Sequence, residues 1–343
     1  SVQAEDELAA VGMAIGANWN GARGFTATSG PGISLMSEFL GLAYFAEVPL
    51  VLFNIQRGGP STGMPTRTQQ SDILSCAYAS HGDTKHVLLF PEDPQECFEF
   101  SAEAFNLAER LQTPVFVISD LDIGMNDWVT DKFEWDDEQK YDRGKVLKAE
   151  DLDKMDNFGR YLDVDDDGIC YRTYPGTHPE KGAFFTRGTS HDEYARYTEN
   201  GDINEQTLTR LVKKFRTASE LVPDPIINLS EKQGSSGVIF YGSTSAAMYE
   251  AKDILNENNI EVDLMRIRSF PFNLDVWEFI ENHDLIYVIE QNRDSQMRTL
   301  IMAEGGISAE KLRSLVWFNG DPIQAKFIAK KIYERESQQA LIT

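Results

Sequence analysis

Apolar residues along this chain fall into two kinds of pattern, continuous runs and three-to-four-residue spacing, and the two alternate. Ala4 to Trp19 is alanine-rich with apolar positions at helical steps, which predicts a helix. Gly24 to Thr28 predicts a short strand, and residues 33–46 a second helix. Pro49 to Ile55 reads as a continuous apolar strand, residues 86–90 and Pro114 to Ser119 as further strands, and 94–111 as a helix. Strands apolar throughout and separated by helices predict a parallel sheet covered on both faces. Residues 129–230 break this beat. Asp, Glu, Lys, Gly, Tyr and Pro dominate there, which predicts an irregular arm with a helix over 203–219. The beat then returns, with strands expected at 237–242, 261–267, 285–291 and 313–318 and helices at 245–258, 274–283, 295–304 and 322–334. The expected organisation is therefore α/β. A first parallel-sheet domain covers 1–128, an acidic connector 129–234 and a smaller α/β domain 235–343, with no repeat at a fixed period.

Composition narrows the function classes. Of 343 residues 41% are hydrophobic and 25% charged, enough for a sizeable core, so disorder is not the default. Thirty-two Lys and Arg stand against 55 Asp and Glu, a net charge of −23, which argues against nucleic acid or an anionic lipid surface as the main partner. No uncharged apolar stretch approaches the ~20 residues of a membrane span. Cys76, Cys97 and Cys170 are far apart and never in CxxC spacing. That predicts neither a metal or iron–sulfur site complete within this chain nor a disulfide framework, and makes a reducing cytoplasm the simpler location. The chain opens at Ser1 without Met, directly before a helical pattern, and looks like a piece of something longer whose preceding residues carry part of the function.

Candidate chemistry lies where strands end. Thr26 to Gly32 joins a strand to a helix through glycines; such a turn either presents free amides to a ligand or is simply tight, and both readings stand. Glu5, Asp6 and Glu7, taken locally, are acids stabilised at a helix N-terminus. Gln56 to Gly63 begins where a buried strand ends. Arg57 there suits bidentate pairing with a carboxylate, and Ser61 and Thr62 could complete an anion site, which favours a ligand loop over a plain surface loop. Glu290 to Asp294 is again a strand end. Its Arg293 either reaches a ligand or neighbouring subunit, or belongs to a capped turn. Asp163 to Gly168 starts like a calcium loop, but the twelfth position is Tyr174 rather than Glu, so an acidic surface turn is expected. No HExxH or GxSxG pattern exists, and His191, in a polar run, is expected to be exposed, with a partner-interface role as the alternative.

Together these segments resemble the alpha subunit of 2-oxoacid:ferredoxin oxidoreductases, closest to the 2-oxoglutarate type. The resemblance rests on Ala4 to Glu7 with Gly12 to Gly16, Thr26 to Gly32, Gln56 to Thr66, His81 to Asp83, Leu111 to Phe116, Arg187 to Thr189 and Glu290 to Asp294. It implies that 1–128 is the pyrimidine-binding domain of a thiamine diphosphate enzyme and that 235–343 is transketolase C-terminal-like. It also implies that Glu7, nine residues before Gly16, is the catalytic glutamate facing N1′ of the aminopyrimidine. Thr28, Ser29, Gly30 and Gly32 would line the cofactor, Arg57 would hold the substrate carboxylate with help from Ser61 and Thr62, and Asn292 and Arg293 would face substrate, coenzyme A or a subunit interface. The Gly-Asp-Gly diphosphate motif is absent, since Gly201-Asp202-Ile203-Asn204 does not fit it, and so are cluster cysteines. The resemblance therefore implies a beta subunit supplying the diphosphate site, Mg2+ and a 4Fe–4S cluster, with ferredoxin as acceptor, coenzyme A as co-substrate and a gamma domain or subunit as a further part. The expected reaction is oxidative decarboxylation of 2-oxoglutarate to succinyl-CoA. The alternatives are pyruvate or a branched-chain 2-oxoacid as substrate, or a structural subunit with a degenerate thiamine fold.

Overall fold

The computed structural model describes residues 1–231 and 236–340. The first part runs α1 (Glu7–Trp19), β1 (Phe25–Thr28), α2 (Gly30–Phe45), β2 (Leu50–Gln56), α3 (Ile73–Ala77), β3 (Val87–Leu89), α4 (Pro94–Leu111), β4 (Pro114–Asp120) and α5 (Leu121–Met125). The connecting stretch carries α6 (Ala149–Asp153), α7 (Gly201–Ala218) and β5 (Ile226–Asn228). The last part runs β6 (Ser236–Tyr241), α8 (Thr244–Glu257), β7 (Val262–Ile267), β8 (Ser269–Phe270), α9 (Leu274–Glu281), β9 (Ile286–Glu290), α10 (Gln296–Gly305), β10 (Leu312–Val316) and α11 (Ala325–Ala340).

Two five-stranded sheets result, ordered β1-β2-β4-β3-β8 and β10-β9-β6-β7-β5. Each has four parallel strands and one short antiparallel edge strand lent from elsewhere. β8 pairs with β3 (Leu88 opposite Phe270), and β5 pairs with β7 (Ile227 opposite Met265). One continuous core spans both sheets, from Met36, Leu52 and Phe116 to Ile239, Phe270 and Val288. Burying each such side chain contributes roughly 1.5–3 kcal/mol. Local signals set the element ends. Asp6 caps α1 by accepting from the Ala9 amide at 2.8 Å, so the first helix starts at Glu7 rather than at Ala4. Asp93 caps α4 likewise, through the Glu96 amide, and Gln112 closes it in the left-handed region (φ 53°). No helix among the described residues is long and apolar enough to cross a membrane.

Carboxylates buried with excess cations pin the connector to the first sheet. Helix α7 buries Thr207, Leu211, Lys214 and Ala218, a helical stripe that includes one lysine. Lys214 Nζ donates to Glu47 Oε2 at 2.8 Å, and Arg210 pairs with the same, fully enclosed carboxylate. Glu109 on α4 gathers Arg23, Arg143 and Arg172 at 2.7, 3.1 and 3.4 Å. The acidic run Asp163–Gly168 folds as a turn. Asp163 accepts from the Asp167 and Gly168 amides, while Lys145 pairs with Asp165 and Asp167, and Lys213 with Asp166. The expectation for His191 fails: it is buried, stacked on Tyr161 with ring centroids 3.8 Å apart. Its polar neighbours in sequence conceal an aromatic shelf supplied from thirty residues earlier.

Burial alone would raise the Glu47 carboxyl, but the charges of Arg210 and Lys214 outweigh it and hold it well below the usual carboxylate range. A folded-state pKa below the unfolded value stabilises above the unfolded titration and is lost as pH falls through it toward the folded one. Glu47→Gln should therefore cost about 3–5 kcal/mol in urea unfolding at neutral pH, since two buried cations lose their anion. The gap between mutant and wild type should narrow in acid. A neutral-pH cost below about 1 kcal/mol contradicts this role.

Candidate active site

Parallel strands leave their carboxyl ends open to ligands, and here both sheets turn such ends toward one cleft. It measures about 650 Å3 and is lined by Gly30 after β1, Arg57 and Ser61 after β2, Ser71 and Asp72 before α3, Asn292 and Arg293 after β9, and Phe318 after β10. The structure thus brings together Gly30, Arg57, Ser61, Asn292 and Arg293 from the sequence-derived set. Thr62 is exposed beside Ser61 and does not line the cleft.

The α2 start is shaped by its two glycines. A Cβ at Gly32 would lie 1.9 Å from Thr28 Oγ1 and 2.9 Å from Glu7 Cγ. A Cβ at Gly30 would lie 2.8 Å from Asp72 Oδ1. The missing side chains let Glu7 and Thr28 close on one face of the helix start and Asp72 on another. Glu7, Thr28 and Gly32 therefore form a second group, and none of the three lines the cleft. Ser29 holds the N-cap position in extended backbone but makes no side-chain cap bond, which leaves the first-turn amides available. Glu7 is half-buried and has no hydrogen-bond partner among the described residues.

Arg57 follows β2 on a loop closed by the Met64 amide donating to the Gly58 carbonyl at 2.7 Å. Gly63, at φ 54°, allows the close approach; a Cβ there would strike the Gly58 carbonyl oxygen. The guanidinium is half-buried with its Nε enclosed, and it has neither ion-pair nor hydrogen-bond partner among the described residues. A half-buried, unpaired cation at a strand end can pair with an anion that enters the cleft.

Under the cleft lies a buried polar lattice joining the two sheets. Gln70 donates its amide to the Gln291 carbonyl at 2.8 Å and receives the Gln291 amide on Oε1 at 3.2 Å. Ser243 Oγ donates to Asp120 at 2.6 Å and accepts from Gln291 Nε2 at 3.0 Å. Asn292 Nδ2 donates to the Gln70 carbonyl (2.9 Å) and to Glu290 (2.8 Å), and its oxygen accepts the Gln296 amide. Burial pushes the Glu290 carboxyl up, opposed by the Arg298 amide, Asn292 and the Met297 amide. Asn292 thus spends its side chain on the lattice. Arg293 is exposed and pairs with its neighbour Asp294 at 2.7 Å.

Sequence reasoning missed Asp72 and the Gln70–Asp120–Ser243 lattice. The polar run Thr68–Asp72 carried the signal, but it reads as a loop before a short helix. Among the described residues no three His, Cys, Asp or Glu side chains gather as a metal site.

Residues 1–217 match the family model described as pyruvate flavodoxin/ferredoxin oxidoreductase, thiamine diphosphate-binding. The chain is 33% identical to 2-oxoacid:ferredoxin oxidoreductase 2, subunit alpha, of Aeropyrum pernix, with 100% of this chain and 53% of that protein covered. It is 35% identical to 2-oxoglutarate synthase subunit KorA of Methanothermobacter thermautotrophicus, covering 85% and 75%. Its fold is similar to a solved 2-oxoglutarate:ferredoxin oxidoreductase from Magnetococcus marinus with 2-oxoglutarate, coenzyme A and succinyl-CoA bound. That match has a TM-score of 0.87 at 28% identity and covers 97% of this chain and 56% of the other. The chain spans about half the length of the first curated relatives it matches.

Asn292→Ala should cost about 2–3 kcal/mol in urea unfolding, because the Gln70 carbonyl, the Glu290 carboxyl and the Gln296 amide lose a buried partner. Arg293→Ala should leave the urea midpoint where it is. Equal effects for the two would contradict the division drawn here.

Proposed function

From the premise that the chain belongs to the pyruvate flavodoxin/ferredoxin oxidoreductase family and matches its alpha subunits, we propose that it forms the pyrimidine-side half of a 2-oxoacid:ferredoxin oxidoreductase. The proposed reaction is oxidative decarboxylation of 2-oxoglutarate to succinyl-CoA, with electrons passing to ferredoxin. The observation that supports this reading is Arg57, a half-buried guanidinium with no ion-pair or hydrogen-bond partner among the described residues, bordering a cleft to which both sheets contribute.

The residues present fit thiamine diphosphate on the pyrimidine side. Glu7 and Thr28 meet over Gly32, where a side chain would hold them apart, and the amides at the α2 start lie next to them. Thiamine diphosphate, when bound, supplies the nucleophilic carbon and the electron sink that decarboxylation needs. Glu7 would hydrogen-bond the aminopyrimidine ring through its carboxyl and could pass a proton between that carboxyl oxygen and the ring. Gly30 and Gly32 let Asp72, and Thr28 with Glu7, close on the helix start. Arg57 orients the substrate by two parallel hydrogen bonds to a carboxylate, with Ser61 on the same loop and Thr62 beside it at the rim. Arg293 stands at the cleft edge, where it suits a contact with coenzyme A or a partner subunit. Among the described residues no His, Cys, Asp or Glu cluster suits Mg2+ or a 4Fe–4S cluster, and the sequence holds no Gly-Asp-Gly diphosphate motif, so we assign these groups to a beta subunit, with a gamma domain or subunit and ferredoxin completing the assembly. Residues 1–128 are assigned the cofactor-facing role, 129–234 that of connector and 235–343 that of the second wall of the cleft. Three cysteines, all free, suit a cytoplasmic location.

In the assembled complex, Glu7→Gln should lower kcat about 10²- to 10⁴-fold with little change in KM. Arg57→Ala should raise the KM for 2-oxoglutarate about a hundredfold, the worth of a lost charge-assisted bidentate contact. Full activity of Glu7→Gln would leave the subunit a structural role. An unchanged KM in Arg57→Ala would remove Arg57 from the substrate site.

A further inference from the structure

Asp72 stands at the N-cap position before α3, yet its carboxylate makes no capping hydrogen bond. It turns instead toward Asn54, whose Nδ2 donates to Oδ2 at 3.1 Å. The turn is fixed by the Asp72 amide donating to Gln56 Oε1 at 2.9 Å. Oδ1 lies against the α2 start, in space that only a glycine at position 30 leaves free, and takes no hydrogen bond from the described residues. The carboxylate and the Arg57 guanidinium border the same cleft.

The charged and titratable groups around it come from every packed element. Arg57 faces it from the end of β2, and Cys76 from α3, its thiol pushed far up by burial and by the Asp72 charge. From the loop before α10 come Arg293 and Asp294, which pair with each other. The first turn of α2 carries no acidic side chain, and Glu7 lies across Gly32 on the other face.

We propose that Asp72 sets the charge this cleft accepts, taking up one proton on Oδ1 when an anionic group seats beside Arg57. The inference rests on reading the cleft as a 2-oxoacid site. An ionised Asp72 and a ligand carboxylate would compete for one guanidinium in one partly enclosed space, and two such anions do not both stay ionised. Burial already raises the Asp72 carboxyl above the usual aspartate range, with the Asn54 hydrogen bond and then the Arg57 charge opposing it. The proton comes from solvent. It turns Oδ1 from an acceptor into a donor, able to bond the carboxylate it would otherwise repel. The sign follows. Where Asp72 is ionised in the free complex, anion binding takes up a proton and weakens as pH rises, up to tenfold in Kd per pH unit.

The test is titration calorimetry on the intact complex with its partner subunits, from about pH 5 to about pH 8, in buffers of differing ionisation enthalpy. The probe is glutarate, a dicarboxylate with no keto group to react. The expected result is uptake approaching one proton per glutarate in the upper part of the range, with Kd weakening by up to tenfold per pH unit there. Asp72→Asn should bind with no uptake and a flat pH profile, and Asp72→Glu should restore the uptake. Wild-type binding without proton uptake overturns the role of Asp72 and leaves the dicarboxylate site standing, whether or not the variants assemble. Uptake that persists in Asp72→Asn overturns it equally. Absence of glutarate binding at every pH overturns the reading of the cleft and this inference with it.

Discussion

The cleft keeps its shape because the carboxyl ends of two sheets are locked together by buried polar groups. Gln70, Asp120, Ser243, Thr244, Glu290, Gln291 and Asn292 are all buried, and their hydrogen bonds run from one sheet to the other. An apolar contact of the same area would hold the units together but let them slide. Directional bonds fix the offset between Arg57 on one sheet and the β9 exit on the other. The same lattice places α10. Gln296 donates to the Ser71 carbonyl and accepts the Leu74 amide, so the helix after β9 braces the turn that carries Asp72.

The second constraint is electrostatic. In a chain of net charge −23, the connector is anchored by cations gathered on buried carboxylates. Such clusters add little net stability against a well-packed apolar alternative, but losing one member leaves uncompensated buried charge. They therefore act as registers, holding an otherwise irregular stretch in one place over the first sheet. Arg57 is the contrast: it is half-buried, yet no carboxylate among the described residues forms an ion pair with it. What sets Arg57 apart is its place: it stands at the strand ends that the two sheets share, where a ligand anion can reach it.

Much of this was legible in the sequence. β2 and β4 read correctly because each carries four consecutive apolar residues and is buried on both faces, which leaves no periodic ambiguity. Arg57 was legible because a strand end followed by Gly, Pro and Ser marks a loop at a parallel sheet's open edge. The elements that went unseen are two to five residues long, α3, α5, α6, β5 and β8: the helices are single turns too short for a periodic signal, and β5 and β8 exist through pairing with β7 and β3. Asp72 was illegible for a different reason. An acid before an apolar run is the ordinary sign of a helix cap, and nothing local reveals that this carboxylate turns away from its helix. Asn292 and Arg293 show the same limit. The sequence offers both as ligand contacts, whereas the fold consumes the amide in the lattice and leaves the guanidinium outside.

The most direct test of the central claim is 2-oxoacid-dependent reduction of a viologen dye by the native complex, purified with its partner subunits, in the presence of coenzyme A and alongside its thiamine diphosphate content. The expected result is bound thiamine diphosphate and turnover with 2-oxoglutarate in preference to pyruvate, lost when the partner is removed. Turnover with pyruvate alone would keep the chemistry and contradict the substrate. An intact complex with neither thiamine diphosphate nor turnover would contradict the account.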